Sequence, residues 1–416
     1  MSRSELAPSS HVIVINRWRE HYAEYAAHID HHRHRVTYVS TEVGLASVPD
    51  TATEVVVVTA TDDLAEVTAA VDDLVGRHGR PDGIVALKED DLLIGAALRE
   101  RWSVPGPSAG QLLPFRDKLV MASLIAEAGV PAPAFAAAPD AARVTAFAQL
   151  HGWPVIVKPT TASSSLGVVR VETPQDAAGL DLDDGPHIVQ TFDPRPIHHV
   201  DGSFDGEKVC VVRTSRYLTS CLDFRDGKVL STVEEDDPVL QQFVADFADR
   251  ALRALTDRPT VFHLELFVDR TTGECSFLEV GARVGGGETS LLWREVHGTD
   301  LMEIAVRYQL ALPSPLISAP ATREVAGYLL APAPQNRPCR ITTVTSMLGQ
   351  SPGPYAESIP EAGDVLSDAD SYYEHVGGRF RFRGVSTAAV EEAIRRTAAT
   401  FRVEGEALEQ RVSQFA

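Results

Sequence analysis

Two runs of four residues with no polar side chain, VIVI at 12–15 and VVVV at 55–58, constrain the fold of this chain most. A strand with one buried face alternates apolar and polar residues. A continuous apolar run therefore marks a strand covered on both sides, as in a parallel sheet flanked by helices. Helical patterns lie where such a sheet needs them. Residues 62–78, DDLAEVTAAVDDLVGRH, begin with acids and end in Arg77 and His78, which complements the helix dipole. A third run, GIVAL at 83–87, leads through Lys88, Glu89, Asp90 and Asp91 into a helical stretch at 92–101. Alternating strand and helix predict an α/β domain ending near residue 107, where VPGPSAG at 104–110 breaks the pattern.

Beyond that break the pattern reads as α+β. A helix over 115–128 is closed by Gly129, and Pro131 and Pro133 forbid its continuation. WPVIV at 153–157 and GVVRV at 167–171 read as strands joined by a hydroxyl-rich loop, and HIVQTF at 187–192 and KVCVVR at 208–213 as two more. After Pro313 the pattern changes again, and TAAVEEAIRRTAATF at 387–401 is a last helix. A length of 416 residues suits two or three domains. A formal charge of −20 argues against binding nucleic acid or an anionic membrane, so an anionic ligand needs local cations or metal ions. No stretch approaches the roughly 20 apolar residues of a membrane span. The four cysteines lack CxxC spacing and read as reduced thiols, which makes a soluble, cytoplasmic protein the expectation.

The chemistry concentrates in HLELFV at 263–268 and FLEV at 277–280, joined by a polar stretch ending in Gly273. As a hairpin, period two sends Leu264, Leu266 and Val268 to one face with Leu278 and Val280. His263, Glu265 and Phe267 then share the other face with Phe277 and Glu279, and the two glutamates fall opposite one another. Like charges so placed repel unless a cation lies between them, and a magnesium ion removes that penalty. From the strand pattern alone, a metal pair and glutamates paired with surface arginines stay equally open. The glycines that follow, Gly285 to Gly287, match neither a P-loop nor a dinucleotide fingerprint and suit a tight turn with close backbone approach. Lys158 ends an apolar strand, where a lysine needs an anionic partner. Alone, the loop TTASSSLG after it and Lys118 at a helix start say little.

Taken in order, FRDKLVMASLIAEAGVPAPAF, GWPVIVKPTTASSSLGVVRV, IVQTF and FHLELF with FLEVGARVGGG resemble the ATP-grasp superfamily. VDGSFDGEKV at 200–209, followed by Ser215, Arg216 and Tyr217, resembles its biotin-carboxylase-like carboxylate–amine ligases, which include the bacterial L-amino acid ligases. The resemblance implies a Rossmann-like pre-ATP-grasp domain (1–107), a two-subdomain ATP-grasp domain (108–312, flap subdomain about 115–190) and a C-terminal α+β portion (313–416) completing the site. It implies that Lys118 and Lys158 contact phosphates. Ser163, Ser164, Ser165 and Gly167 close over the triphosphate, and Gln190, Thr191, Phe192 and Asp193 receive adenine. Glu265 and Glu279 hold magnesium, as one or two ions with manganese as a substitute, and Arg283 meets the transferred phosphoryl group. His199 and Asp201 are placed on the ribose or metal side. Gly281 stands where many members have an asparagine that completes the second metal shell, which leaves water or a residue such as Glu288 to fill it.

The implied activity is activation of a small carboxylic acid as an acyl phosphate and its transfer to an amine, with release of ADP and phosphate. Arg216, Tyr217, His297 and the arginines of RFRFR at 379–383 are candidates for holding substrate carboxylates, with ordinary structural charge the competing reading. By analogy the protein is a homodimer. The alternatives are a related enzyme that activates bicarbonate or formate, and a nucleotide-binding protein without turnover. The histidine run HIDHHRHR at 28–35 has no metal-ligand spacing and reads as a solvated face.

Overall fold

The computed structural model describes residues 5–18, 22–219, 221–314, 324–367 and 376–408. The first sheet contains β1 (His11–Asn16), β2 (Arg35–Ser40), β3 (Glu54–Val57) and β4 (Gly83–Ala86), all parallel in the order β3-β2-β1-β4. β1 is buried at every residue, as its unbroken apolar run predicts. The VVVV run behaves differently. It forms the edge strand β3, so Val57 is exposed although Val58 just beyond it is buried. Helices Leu64–His78 and Leu92–Trp102 cover this sheet, and Asp63 caps the first by accepting from the Ala65 and Glu66 amides.

Next come β5 (Phe135–Ala137), β6 (Val155–Pro159), β7 (Val169–Val171) and β8 (His187–Thr191), an antiparallel sheet in the order β5-β8-β6-β7. Then follow β9 (Ile197–Asp205), β10 (Val209–Thr219), β11 (Leu230–Glu234), β12 (Pro259–Val268) and β13 (Cys275–Gly281). The C-terminal part adds β14 (Val325–Pro332), β15 (Cys339–Val344), β16 (Ala356–Ser358), β17 (Val365–Leu366), β18 (Val376–Gly384) and β19 (Val403–Ala407). Eight of these build one antiparallel sheet, β13-β12-β9-β10-β11-β14-β18-β16, while β17-β15-β19 form a small separate one. The chain is thus the mixed α/β and α+β protein its patterning predicts.

Helix Pro238–Leu255 carries Leu240, Val244, Phe247 and Ala251 on one stripe and lays it on the β9, β12 and β13 end of the large sheet. That helix and β9 went unread in the sequence. The histidine run is split and is not wholly solvated: His31 is buried and bonded to the Ile29 carbonyl and the Tyr38 hydroxyl, whereas His32 is exposed. All four cysteines are free, and no helix of the described residues is long and apolar enough to cross a membrane.

Candidate active site

Glu265 and Glu279 are direct partners across β12 and β13. On its other side Glu265 pairs with His199 of β9, and His263 pairs with Asp201. The expected facing of the hairpin needs one correction. A bulge after Glu265 pairs Leu266 with Phe277, so Phe277 enters the core with Leu264, Leu266 and Val268, and Leu278 turns to the cleft beside Glu279. An extra residue in one strand reverses the facing beyond it.

The glutamates are neutralised in different ways. Lys158, buried at the end of β6, brings its Nζ to 3.4 Å from Glu279 Oε2, and Lys118 Nζ lies 3.9 Å away. Burial alone would push the Glu279 carboxyl up, but the two ammonium groups outweigh it and hold the group well below the usual carboxylate range. Burial likewise draws the Lys158 ammonium below its ordinary value, against the pull of Glu279. Glu265 Oε1 accepts from the Tyr217 hydroxyl at 2.7 Å and lies 3.5 Å from His263 Nε2. His263 Nδ1 and His199 Nδ1 bond the two oxygens of Asp201 at 2.8 and 2.7 Å. Burial would lower His263, but Asp201 raises it to about 9. His199, Asp201 and His263 are close enough to suggest a metal site. Asp201, however, already spends one oxygen on each ring.

Two cavities meet at the glutamate pair. One, of about 310 Å³, is mostly apolar. Gln190, Thr191, Phe192 and Asp193 line it, with Ile156, Lys158 and Leu278. Arg170 stacks 4.2 Å over the Phe192 ring, and Asp193 is held by Arg195. The other, of about 320 Å³, is highly charged and lined by Arg17, Lys88, Glu89, Asp90, Arg116 and Arg283, with the loop serines 163–165. Lys118, Ser165, Tyr217, Glu265 and Glu279 border both. The loop holds Ser164, Ser165 and Gly167 at positive φ, unusual for the serines. Hard carboxylate oxygens facing one another at this junction, with a hydroxyl fixing one of them, suit a magnesium ion held by Glu265 and Glu279.

Several of the expected residues lie outside both cavities. His199 and Asp201 line neither of these two cavities and stand behind Glu265, on the metal side if an ion is bound there. Arg216 is spent on Glu235 and Glu391, at 3.1 and 2.8 Å, and His297 is buried against Glu234 at 2.7 Å. Glu288 is buried under Tyr22, Arg379 and Arg381, and neither it nor those arginines line the two cavities. Burying such charges is tolerable only because they pair with one another. A Cβ on Gly281 would instead lie 3.7 Å from the Glu89 carboxyl carbon and 3.4 Å from Arg283 Cγ. The glycine run serves packing: a Cβ on Gly285 would come within 2.3 Å of Asp201 Oδ1, and one on Gly287 within 2.5 Å of the Tyr328 ring.

The sequence reading missed an ion-pair ladder. Arg283 Nε meets Glu89 at 2.8 Å, Glu89 meets Arg116 at 2.8 Å, Arg116 meets Asp90 at 3.0 Å, and Asp90 meets Arg17 at 2.7 Å. One signal was available. Glu89 and Asp90 lie just beyond the carboxyl end of β4, after Leu87 and Lys88, where open α/β sheets place ligand-contacting residues.

No protein-family profile matches the sequence. Over 284 residues it is 26% identical to an L-arginine-specific L-amino acid ligase of Bacillus subtilis, a match spanning 63% of this chain and 64% of that protein, just under two thirds of the relative. Among solved structures, an L-amino acid ligase from Bacillus licheniformis superposes with a TM-score of 0.75 at 17% identity, covering 96% of this chain and all of that one. The biotin carboxylase domain of a 2-oxoglutarate carboxylase from Hydrogenobacter thermophilus, solved with MgADP and bicarbonate, gives 0.71 at 14% identity over 96% and 92% of the two chains. Along nearly its whole length this chain has the fold of both.

Proposed function

We propose that this protein is an ATP-dependent carboxylate–amine ligase that activates a small carboxylic acid, an amino acid, and joins it to an amine to form an amide or dipeptide. The observation that carries this reading is the meeting of a purine-sized apolar cavity with a charged one at Glu265 and Glu279. Adenine fits between Ile156, Phe192 and Leu278, and the phosphates extend toward Lys158, Lys118 and the serine loop. Magnesium, when bound by Glu265 and Glu279, spreads the charge of the phosphoryl oxygens. The acid lies in the charged cavity with its carboxylate toward Arg283. One carboxylate oxygen attacks the γ-phosphorus and ADP leaves. The amine then attacks the acyl carbon, phosphate leaves and the ammonium proton is lost. Lys118, Lys158 and Arg283 hold the oxygens on which charge builds, and the serine loop excludes water from the mixed anhydride.

The division at residues 107 and 312, one or two magnesium ions replaceable by manganese, a homodimer and a cytoplasmic setting belong to the same proposal. The test is ADP and phosphate release with MgATP across pairwise mixtures of free amino acids, with mass detection of products. The expected result is ADP released one for one with a product lighter by one water than the two substrates. Release stimulated only by bicarbonate or formate would transfer the chain to the carboxylase-like reading that its likeness to the biotin carboxylase domain also supports.

A further inference from the structure

Three consecutive carbonyls of the serine loop are gripped by one short stretch of chain. The Lys118 amide donates to Thr160 O at 2.9 Å, Arg116 Nη2 donates to Thr161 O at 2.9 Å, and Lys118 Nζ donates to Ala162 O. Asp117 between them caps the helix Lys118–Glu127 through the Leu119 and Val120 amides, which fixes the stretch in place. Arg116 does more than grip. Its guanidinium, 7% exposed, also holds Glu89 at 2.8 Å and Asp90 at 3.0 Å, and the second oxygen of Glu89 holds Arg283 at 2.8 Å. An unbroken path of charged hydrogen bonds therefore runs from Arg283, through Glu89 and Arg116, into the backbone of the loop.

Resting on the ligase reading above, we propose that Arg116 is a positioning residue that couples occupancy of the charged cavity to closure of the serine loop, keeping water from the acyl phosphate until the amine attacks. A substrate carboxylate that draws on Arg283, or an ammonium that draws on Glu89, redistributes the hydrogen bonds of the one side chain that also holds Thr161. A planar fork with three acceptors around it does this, whereas a lysine offers a point charge.

The test uses the full-length chain as Arg116→Gln and Arg116→Lys, the second guarding against a folding failure of the first. Hydrogen exchange of peptides covering residues 160–167 is followed with and without MgADP. The ratio of ADP released to amide formed is measured with a substrate pair that the unmodified protein ligates. Loss of a charged hydrogen bond predicts exchange faster by about tenfold in Arg116→Gln. The ADP-to-amide ratio is expected to rise from near one to about two or more, through hydrolysis of the intermediate. Unchanged exchange in the loop overturns the proposal. So does faster exchange with the ratio still near one and only the turnover reduced, since a merely structural role lowers both products together. If the unmodified protein ligates no pair, the ligase reading fails by itself, and the exchange comparison still decides whether Arg116 controls the loop.

Discussion

Glu279 is balanced by two lysines and Glu265 by a phenol and an imidazole, although the two face each other across one strand pair. In the proposed site Tyr217 would steady the metal ligand Glu265 without itself touching the metal. Tyr217→Phe is expected to weaken Mn²⁺ binding, read by electron paramagnetic resonance with ADP present, by about 10- to 100-fold. Glu279→Gln should abolish binding in the same assay, and equal affinity in both variants would detach the carboxylates from the metal. Asp91 offers a test by pH. It is fully buried, accepts from Thr61 Oγ1 at 2.9 Å, and leaves Oδ2 without a hydrogen-bond partner among the described residues. Burial pushes its carboxyl up to about 6, against the pull of Arg17. Between its ordinary value of 3.8 and about 6, the native state therefore binds the proton more tightly than the unfolded chain. Stability due to this group falls as pH rises through that window, and the full cost is present above it. Asp91→Asn should gain in denaturation midpoint relative to the parent at pH 7.5 and lose that gain near pH 4, whereas a difference independent of pH would contradict the burial argument.

At the level of elements, strand period and helix stripes were legible because adjacent residues impose them. Opposition of Glu265 and Glu279 followed from counting by two through a short turn. Counting failed one residue later, where the bulge exchanged Phe277 for Leu278, because whether a strand absorbs an extra residue depends on what packs against it. The glycine loop after β13 is decided the same way. Gly285 is small because Asp201 and His263 occupy the space a side chain would need, whereas nothing lies within 4 Å of a Cβ on Gly286. Gly285→Ala is expected to cost about 1–3 kcal/mol in denaturant unfolding. Gly286→Ala is expected to stay within about 0.5 kcal/mol. Equal effects would mean the loop relaxes freely around Asp201.

Across the whole molecule, the C-terminal part is not an appendage, because β14 pairs with β11 and β18 with β14 in the sheet that carries Glu265 and Glu279. Glu288 ties that part to the rest, joining Tyr22 with Arg379 and Arg381 of β18. A chain ended at residue 312 would leave the buried strand β11 as an open edge and uncover Val233 and Leu230, which share their core clusters with Leu329, Phe380 and Leu330 of the removed part. It should aggregate, as read by soluble yield and size exclusion, and a monodisperse folded product would refute this dependence. The sequence by itself determined where many of the strands and helices run, though not β9 or helix Pro238–Leu255, that two glutamates oppose each other, and that Lys158 needs an anion, since each follows from residues near one another in the chain. Only the tertiary structure decided that Arg216, His297 and Glu288 are internal ion pairs, that His199 and Asp201 stand behind the site, and that Arg17, Asp90, Arg116, Glu89 and Arg283 form one ladder. Which charge neutralises which depends on elements far apart in sequence that close around the same dry space, where an unpaired charge is too costly to remain.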